Sequence, residues 1–170
     1  MTRGDGDALL LGEWACLGIL CSGPTHGFAI AARMRPDADI GRIWSLSRAL
    51  TYRSLDQLER RGLVEPIAEE PGLAGGNRTV LAATAAGRDQ LDQWLRTPVE
   101  HLRDLRSELL LKIVLANANG IDIDVMLRAQ HARVSELANA SDNPEASPDI
   151  VQLWRHEFTH AALRFLERLI

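Results

Sequence analysis

Apolar and polar positions alternate with changing period along the 170 residues, and each change of period marks an element. Residues 8–21 are apolar almost all round, with Glu13 as the exception, which predicts a first helix buried on most sides. Ser22-Gly23-Pro24 stops it, and Thr25 is the candidate cap of a second helix over 26–35, with Phe28, Ile30, Ala31 and Met34 available for packing. Pro36 to Asp39 breaks the chain again. Leu46 to Val64 then reads as a complete helical unit. Ser47 can cap it, while Tyr52, Leu55, Leu58 and the stem of Glu59 form the inward stripe, and Gly62 supplies the left-handed stop. Residues 63–68 and 78–83 have strand character, and the Gly- and Pro-rich stretch between them is turn chemistry, so a β-hairpin with Arg78 at its tip is expected. Thr84 caps a further helix up to Leu95, ended by Thr97-Pro98.

Beyond that point the pattern is helical throughout. Residues 99–118 carry Leu102, Leu105, Leu109, Ile113 and Ala116 near one stripe, and Asn119-Gly120 stops them. Asp122 caps a helix to about Ala140, and 141–146 read as a loop. Ser147, with Pro148 at the first helical position, starts a last helix, on which Ile150, Trp154, Phe158, Ala161, Phe165 and Leu169 share a face. The expected fold is mainly α with a small β-hairpin wing. A winged helix-turn-helix domain occupies 8–96 and a C-terminal helical region 97–170. Three helices with this much apolar surface make a poor core alone. A homodimer would cover it; an ordinary intrachain bundle is the alternative.

Charge adds a direction to this picture. The chain is −4 overall, yet 42–61 holds five arginines against Asp56 and Glu59, a local +3. Helical rotation of about 100° per residue places Ala49, Leu50, Arg53, Gln57 and Arg60 on the outer face of the 47–61 helix. Small, cationic and amide side chains are the types that contact base edges and phosphates. A local patch suffices for a sequence-specific reader even where the whole chain is acidic. The candidate contacts with double-stranded operator DNA are Ser47, Arg48, Ala49, Thr51, Tyr52, Arg53, Gln57 and Arg78. Tyr52 at the edge of the inner stripe fits core packing as well, and Arg60 and Arg61 also fit a helix-dipole role at the C-terminal turn. Lys112 is the lone lysine among 19 basic residues, an imbalance that genomic base composition explains as well as function does.

Other chemistry is sparse. Cys16 and Cys21, four residues apart, fit neither a zinc knuckle nor a redox pair, and read as buried reduced thiols. The segment before the first apolar run lacks the positive charge of a signal peptide, and no apolar run is long enough to span a membrane, so a cytoplasmic protein is expected. No cofactor is implied.

Several motifs stand in an order and spacing that resemble the PadR-like transcriptional regulators over nearly the whole chain. They are Gly23-Pro24-Thr25-His26-Gly27-Phe28-Ala29-Ile30, Trp44 to Ser47, and the run from Tyr52 through Leu55, Leu58, Gly62 and Leu63 to Val64. Thr84-Ala85-Ala86-Gly87, Trp94 to Pro98, and Arg106 to Lys112 complete them. The resemblance implies a winged helix-turn-helix fold, a C-terminal dimerisation region and a dimeric repressor released from operator DNA by a small, often aromatic or cationic, ligand. Departures lie in the wing, where Val80 to Ala83 replace the usual aromatic pair and the basic tip is reduced to Arg78, and at Phe28, where the family has tyrosine. Trp94, Trp154 and Phe158, with Phe165, are candidates for lining an effector pocket, core packing being the competing role for each.

Two other function classes compete. A winged-helix protein-interaction module without DNA binding would fit the net acidity. His156-Glu157-Phe158-Thr159-His160 spells H-E-x-x-H, the pattern in which two histidines bind zinc and the glutamate activates water. A third ligand is wanting: Glu167 would lie about 10 Å further along the same helix. A pair of surface histidines is the reading adopted, with no metal and no enzyme.

Overall fold

The apolar run near the N-terminus becomes α1 (Leu11–Ser22). In a computed structural model of the protein, which describes residues 8–72, 76–141 and 149–170, this helix packs against α3 (Arg48–Arg60), α4 (Ala85–Leu95) and α5 (Leu110–Asn119). Ala15, Cys16, Leu17, Ile19 and Leu20 are all buried. Glu13 explains its place in an apolar run by capping: its Oε2 accepts the Leu10 N–H at 2.8 Å, satisfying a donor left over at the helix start. Burial pushes the Cys16 thiol up to about 12 and the half-buried Cys21 up to about 11, so neither is a reactive thiolate.

The next two residues depart from expectation. Thr25 does not cap a helix; Thr25–His26 is a short strand, β1, and His26 is the cap of α2 (Gly27–Arg33), its Nδ1 accepting the Ala29 N–H at 3.1 Å. After α2 the loop is drawn in by Arg33, whose guanidinium holds the Asp39 carboxylate and keeps that carboxyl below its usual range. It leads into α3 (Arg48–Arg60), which forms as read. The Ser47 hydroxyl accepts from Leu50 N at 3.3 Å, and Gly62 adopts φ +68° beyond the last turn.

β2 (Val64–Pro71) and β3 (Asn77–Ala83) make the hairpin, with an irregularity between Pro66 and Ala68 that leaves Ile67 as the extra, exposed residue. The sheet has three strands in the order β1-β3-β2, because Thr25 and His26 pair with Leu81 and Val80. Arg78 lies opposite Glu70 within the ladder rather than at the tip. Thr84 caps α4 (Ala85–Leu95) through the Gly87 N–H at 3.1 Å. The same hydroxyl donates to Gly62 O at 2.8 Å, and Thr84 N donates to Leu63 O at 3.0 Å, so α4 is anchored to the turn that ends α3.

The continuous helix expected over 99–118 is replaced by three pieces. Val99 lies outside any helix, its N–H donating to Gln130 Oε1 at 2.6 Å and its carbonyl accepting from Gln130 Nε2 at 3.3 Å, so a buried side-chain amide pins it to α6 (Asp124–Ser141). A 3-10 turn (Leu102–Asp104) and a π-helical turn (Leu105–Leu109) then lead into α5 (Leu110–Asn119), which Gly120 ends. Asp122 accepts from Asp124 N, at the start of α6. Of the expected loop 141–146, Ser141 is the last residue of α6, while 142–146 and the expected cap Ser147-Pro148 lie outside the described residues. The last helix, α7 (Ile150–Leu166), is capped by Asp149, whose Oδ1 accepts from Val151 N and Gln152 N. It packs on α6 with Thr159 and Leu166 buried, while the apolar stripe read from the sequence faces outward: Ile150 is 78% and Trp154 68% exposed. Among the described residues no helix is long and apolar enough to cross a membrane.

Candidate nucleic-acid interface

α3 presents its outer face to solvent because Leu55 and Leu58 hold the inner one in the core. Arg48, Ala49, Leu50, Arg53 and Arg60 are exposed and Gln57 is half-buried on the same helix. Among the described residues Arg48, Arg53 and Arg60 enter no ion pair with a carboxylate. Ser47 is exposed at the helix start, with its hydroxyl already accepting the cap bond.

Thr51 has to be removed from the candidate contacts. It is fully buried and its hydroxyl donates to Ser47 O at 3.0 Å. That bond lets a polar residue occupy the first position of the inward stripe. Tyr52, 39% exposed, sits at the border: its ring lies against Gly27 of α2, where a Cβ would come within 2.8 Å of Cε1, and the Arg48 guanidinium stands 5.7 Å from its centroid.

Beside this face lies a cluster that the sequence reading did not single out. Phe28, 48% exposed, has the Arg48 guanidinium 5.6 Å and the Arg78 guanidinium 5.2 Å from its ring centroid, both within reach of a cation–π attraction. Arg78 Nη1 is also 3.5 Å from His26 Nε2. The wing arginine, the first residues of α2 and the start of α3 therefore meet at one corner. The sequence signal for it is the Thr25-His26-Gly27-Phe28 segment of the motif that runs to Ile30.

The candidate effector residues are not brought together. Trp94 stacks on Trp14, with centroids 4.6 Å apart and planes at 9°, and these two line a cleft of about 340 Å³ with Trp44, Asp104, Ser107 and Glu108. Trp154 and Phe158 do not line it; they stack on each other along α7, 6.0 Å apart. Behind the Trp94 ring sits Lys112, only 1% exposed, its Nζ 4.8 Å from the ring centroid. That ammonium donates to Thr97 O at 2.6 Å and to Glu108 Oε1 at 2.9 Å. Burial lowers its pKa, against the opposing pull of Glu108. The spacing Glu108…Lys112, one helical turn, thus joins the segment after α4 to α5 through a buried cation.

The H-E-x-x-H residues lie on α7 with the His156 and His160 rings 4.3 Å apart and Glu157 exposed. Glu167 is 4.0 Å from His131 of α6. Among the described residues no group of three or more His, Cys, Asp or Glu is placed to hold a metal ion.

The model of the transcriptional regulator PadR-like family matches residues 16–93. No curated protein matches. Among solved structures the chain is similar to Bacillus subtilis PadR in complex with operator DNA, at 18% identity over 92% of this chain and 96% of that one, with a TM-score of 0.49. It is also similar to the Vibrio cholerae virulence activator AphA, at 22% identity over 94% and 91% of the two chains, TM-score 0.43. The PadR-like transcriptional regulator BC1756 from Bacillus cereus matches at 20% identity over 97% of each chain, TM-score 0.44.

Proposed function

We propose that this chain, whose residues 16–93 match the model of the transcriptional regulator PadR-like family, acts as a homodimeric repressor in the cytoplasm, reading double-stranded operator DNA with α3 and released by a small-molecule effector. The observation that carries the reading is the exposed outer face of α3, with Arg48, Arg53 and Arg60 outside any ion pair among the described residues. Guanidinium groups there suit bidentate contact with guanine edges or with phosphates. Ala49 and Leu50 leave room for a groove wall and offer an apolar contact to a thymine methyl. Two copies of α3 would enter successive major grooves about 34 Å apart on a pseudo-palindrome.

The apolar face of α7 supports the dimer. Trp154 and Phe165 are exposed in the single chain, and a second copy is the commonest cover for such a surface. Trp154→Ala is expected to raise the dimer dissociation constant about tenfold in sedimentation equilibrium; an unchanged constant would put the seam elsewhere. For the effector, the three-tryptophan cleft with Asp104 and Glu108 is the better-formed site, and it includes Trp94 of the original candidates. The stack of Trp154 on Phe158 belongs to the surface assigned to the dimer.

Selection of bound duplexes from a random pool tests the DNA reading and its two-fold symmetry together. On the selected duplex, Arg53→Ala is expected to lose about 2 kcal/mol of binding without a change in melting temperature. Unaltered affinity would take Arg53 out of the interface. One observation favours a second reading, a protein-interaction module: Glu65, Glu69 and Glu70 stand exposed along β2. Steep loss of affinity with salt separates the two, since only a DNA reader releases condensed counterions.

A further inference from the structure

We infer that His26 and Arg78 together bind one backbone phosphate of the duplex, beside Arg48, so that wing and recognition helix share a phosphate site built around Phe28. This rests on the DNA-binding reading and adds to it a residue, His26, that no motif or comparison assigns.

The inference starts from hydrogen-bond bookkeeping at one ring. His26 Nδ1 accepts the Ala29 N–H at 3.1 Å and so carries no proton. In a neutral imidazole the proton then resides on Nε2, which makes Nε2 a donor. The atom it faces, Arg78 Nη1 at 3.5 Å, can only donate. Two donors confront each other, an arrangement without a hydrogen bond of its own. An anionic oxygen placed between them resolves it: both nitrogens can reach one oxygen at about 2.8 Å, the length of a charge-assisted bond. A phosphodiester supplies such an oxygen with a negative charge.

The surroundings fit that occupant. Glu70 lies across the ladder from Arg78, yet no ion pair joins them, and the guanidinium is turned toward Phe28 and His26 instead. Phe28 then acts as a spacer, keeping the Arg48 and Arg78 guanidiniums 5.6 and 5.2 Å from its ring and close to the same corner. The ring leaves both cations their N–H groups for an anion, as a carboxylate partner would not. β1 is what brings His26 here, because His26 is in register with Val80, two residues from Arg78.

The test separates contact from scaffold, because His26 has a capping role as well. Asn at 26 keeps an acceptor for the Ala29 N–H and removes Nε2; Gln keeps a donor near Nε2 and loses the cap. Binding of full-length variants to the pool-selected duplex is measured by fluorescence anisotropy across a salt series. His26→Asn is expected to weaken binding about fivefold with unchanged melting. His26→Gln should bind within about twofold of wild type while melting a few degrees lower. Arg78→Ala should weaken binding about tenfold and lower the salt slope by about one. The His26→Asn/Arg78→Ala double variant should lose clearly less than the product of the single losses, since both groups serve one phosphate. Wild-type affinity in His26→Asn, or losses that multiply in the double variant, would overturn the shared site and leave the DNA reading standing. Failure of the wild-type protein to retain any duplex would bring down both.

Discussion

Gly87→Ala is expected to destabilise the folded protein by about 3 kcal/mol, although alanine is the better helix former by about 1 kcal/mol. A Cβ at this position would lie 2.1 Å from Leu63 O and 3.1 Å from Leu17 Cδ1. The leucine methyl can rotate away; the carbonyl cannot, because it belongs to the turn that closes α3 and accepts the Thr84 N–H. Relief requires α4 to withdraw, and withdrawal stretches the Thr84 hydroxyl's bond to Gly62 O as well. The Thr84…Gly87 spacing is thus a packing device, in which the capping threonine and the absent side chain act on the same turn. Urea unfolding reads the loss directly, and a midpoint equal to wild type would show that the turn yields without cost.

Glu108→Ala is expected to cost about 3 kcal/mol at neutral pH, because it leaves a buried ammonium short of its counter-charge. The distinctive part is the pH dependence. In the folded state the Lys112 pKa lies below its ordinary 10.5, burial being the main cause. Between the folded pKa and 10.5 the unfolded chain binds more protons, so stability contributed by this group rises with pH. Without Glu108 the depression deepens and the window opens further downward. The deficit of the variant should therefore shrink as pH rises from neutral through the lowered folded-state pKa of Lys112, above which the amine is neutral in both folded proteins. Lys112→Met, which keeps the stem against Trp94 and removes the charge, should be milder at pH 7. A deficit for Glu108→Ala that is constant with pH would mean that the carboxylate contributes only packing.

What could be read from the residues alone is what local chemistry decides. Ser47 and Thr84 cap where expected, Gly62 turns left-handed, and the hairpin forms between 64 and 83, because each depends on neighbours within a few residues. β1 was not legible, since two residues carry no period and their pairing with β3 is a contact over more than fifty positions. The inward stripe of α3 starts one residue earlier than the pattern beginning at Tyr52 indicates: Thr51, a candidate DNA contact by its place near the helix start, has its hydroxyl satisfied by Ser47 O and is buried. The place of Val99 outside the helix is not legible because nothing in its own segment reveals Gln130, the side chain that ties up both its backbone groups. The cluster at Phe28 stayed hidden for the same reason, being assembled from α2, α3 and β3.

The order β1-β3-β2 has a consequence for how the protein would dock. A two-stranded wing hanging from the end of α3 could swing, and each encounter with a duplex would have to select one of its positions. Here the strand nearest the body, β3, is flanked on both sides, and one flank is the residue pair that leads into α2. The inner wing strand is therefore hydrogen-bonded to the segment that leads into α2 as well as to β2, and less conformational freedom would remain to be lost on docking. Rigidity at that corner favours a narrow choice of groove shape over adaptability, so discrimination between duplexes would rest on fit as much as on the few side chains that touch bases.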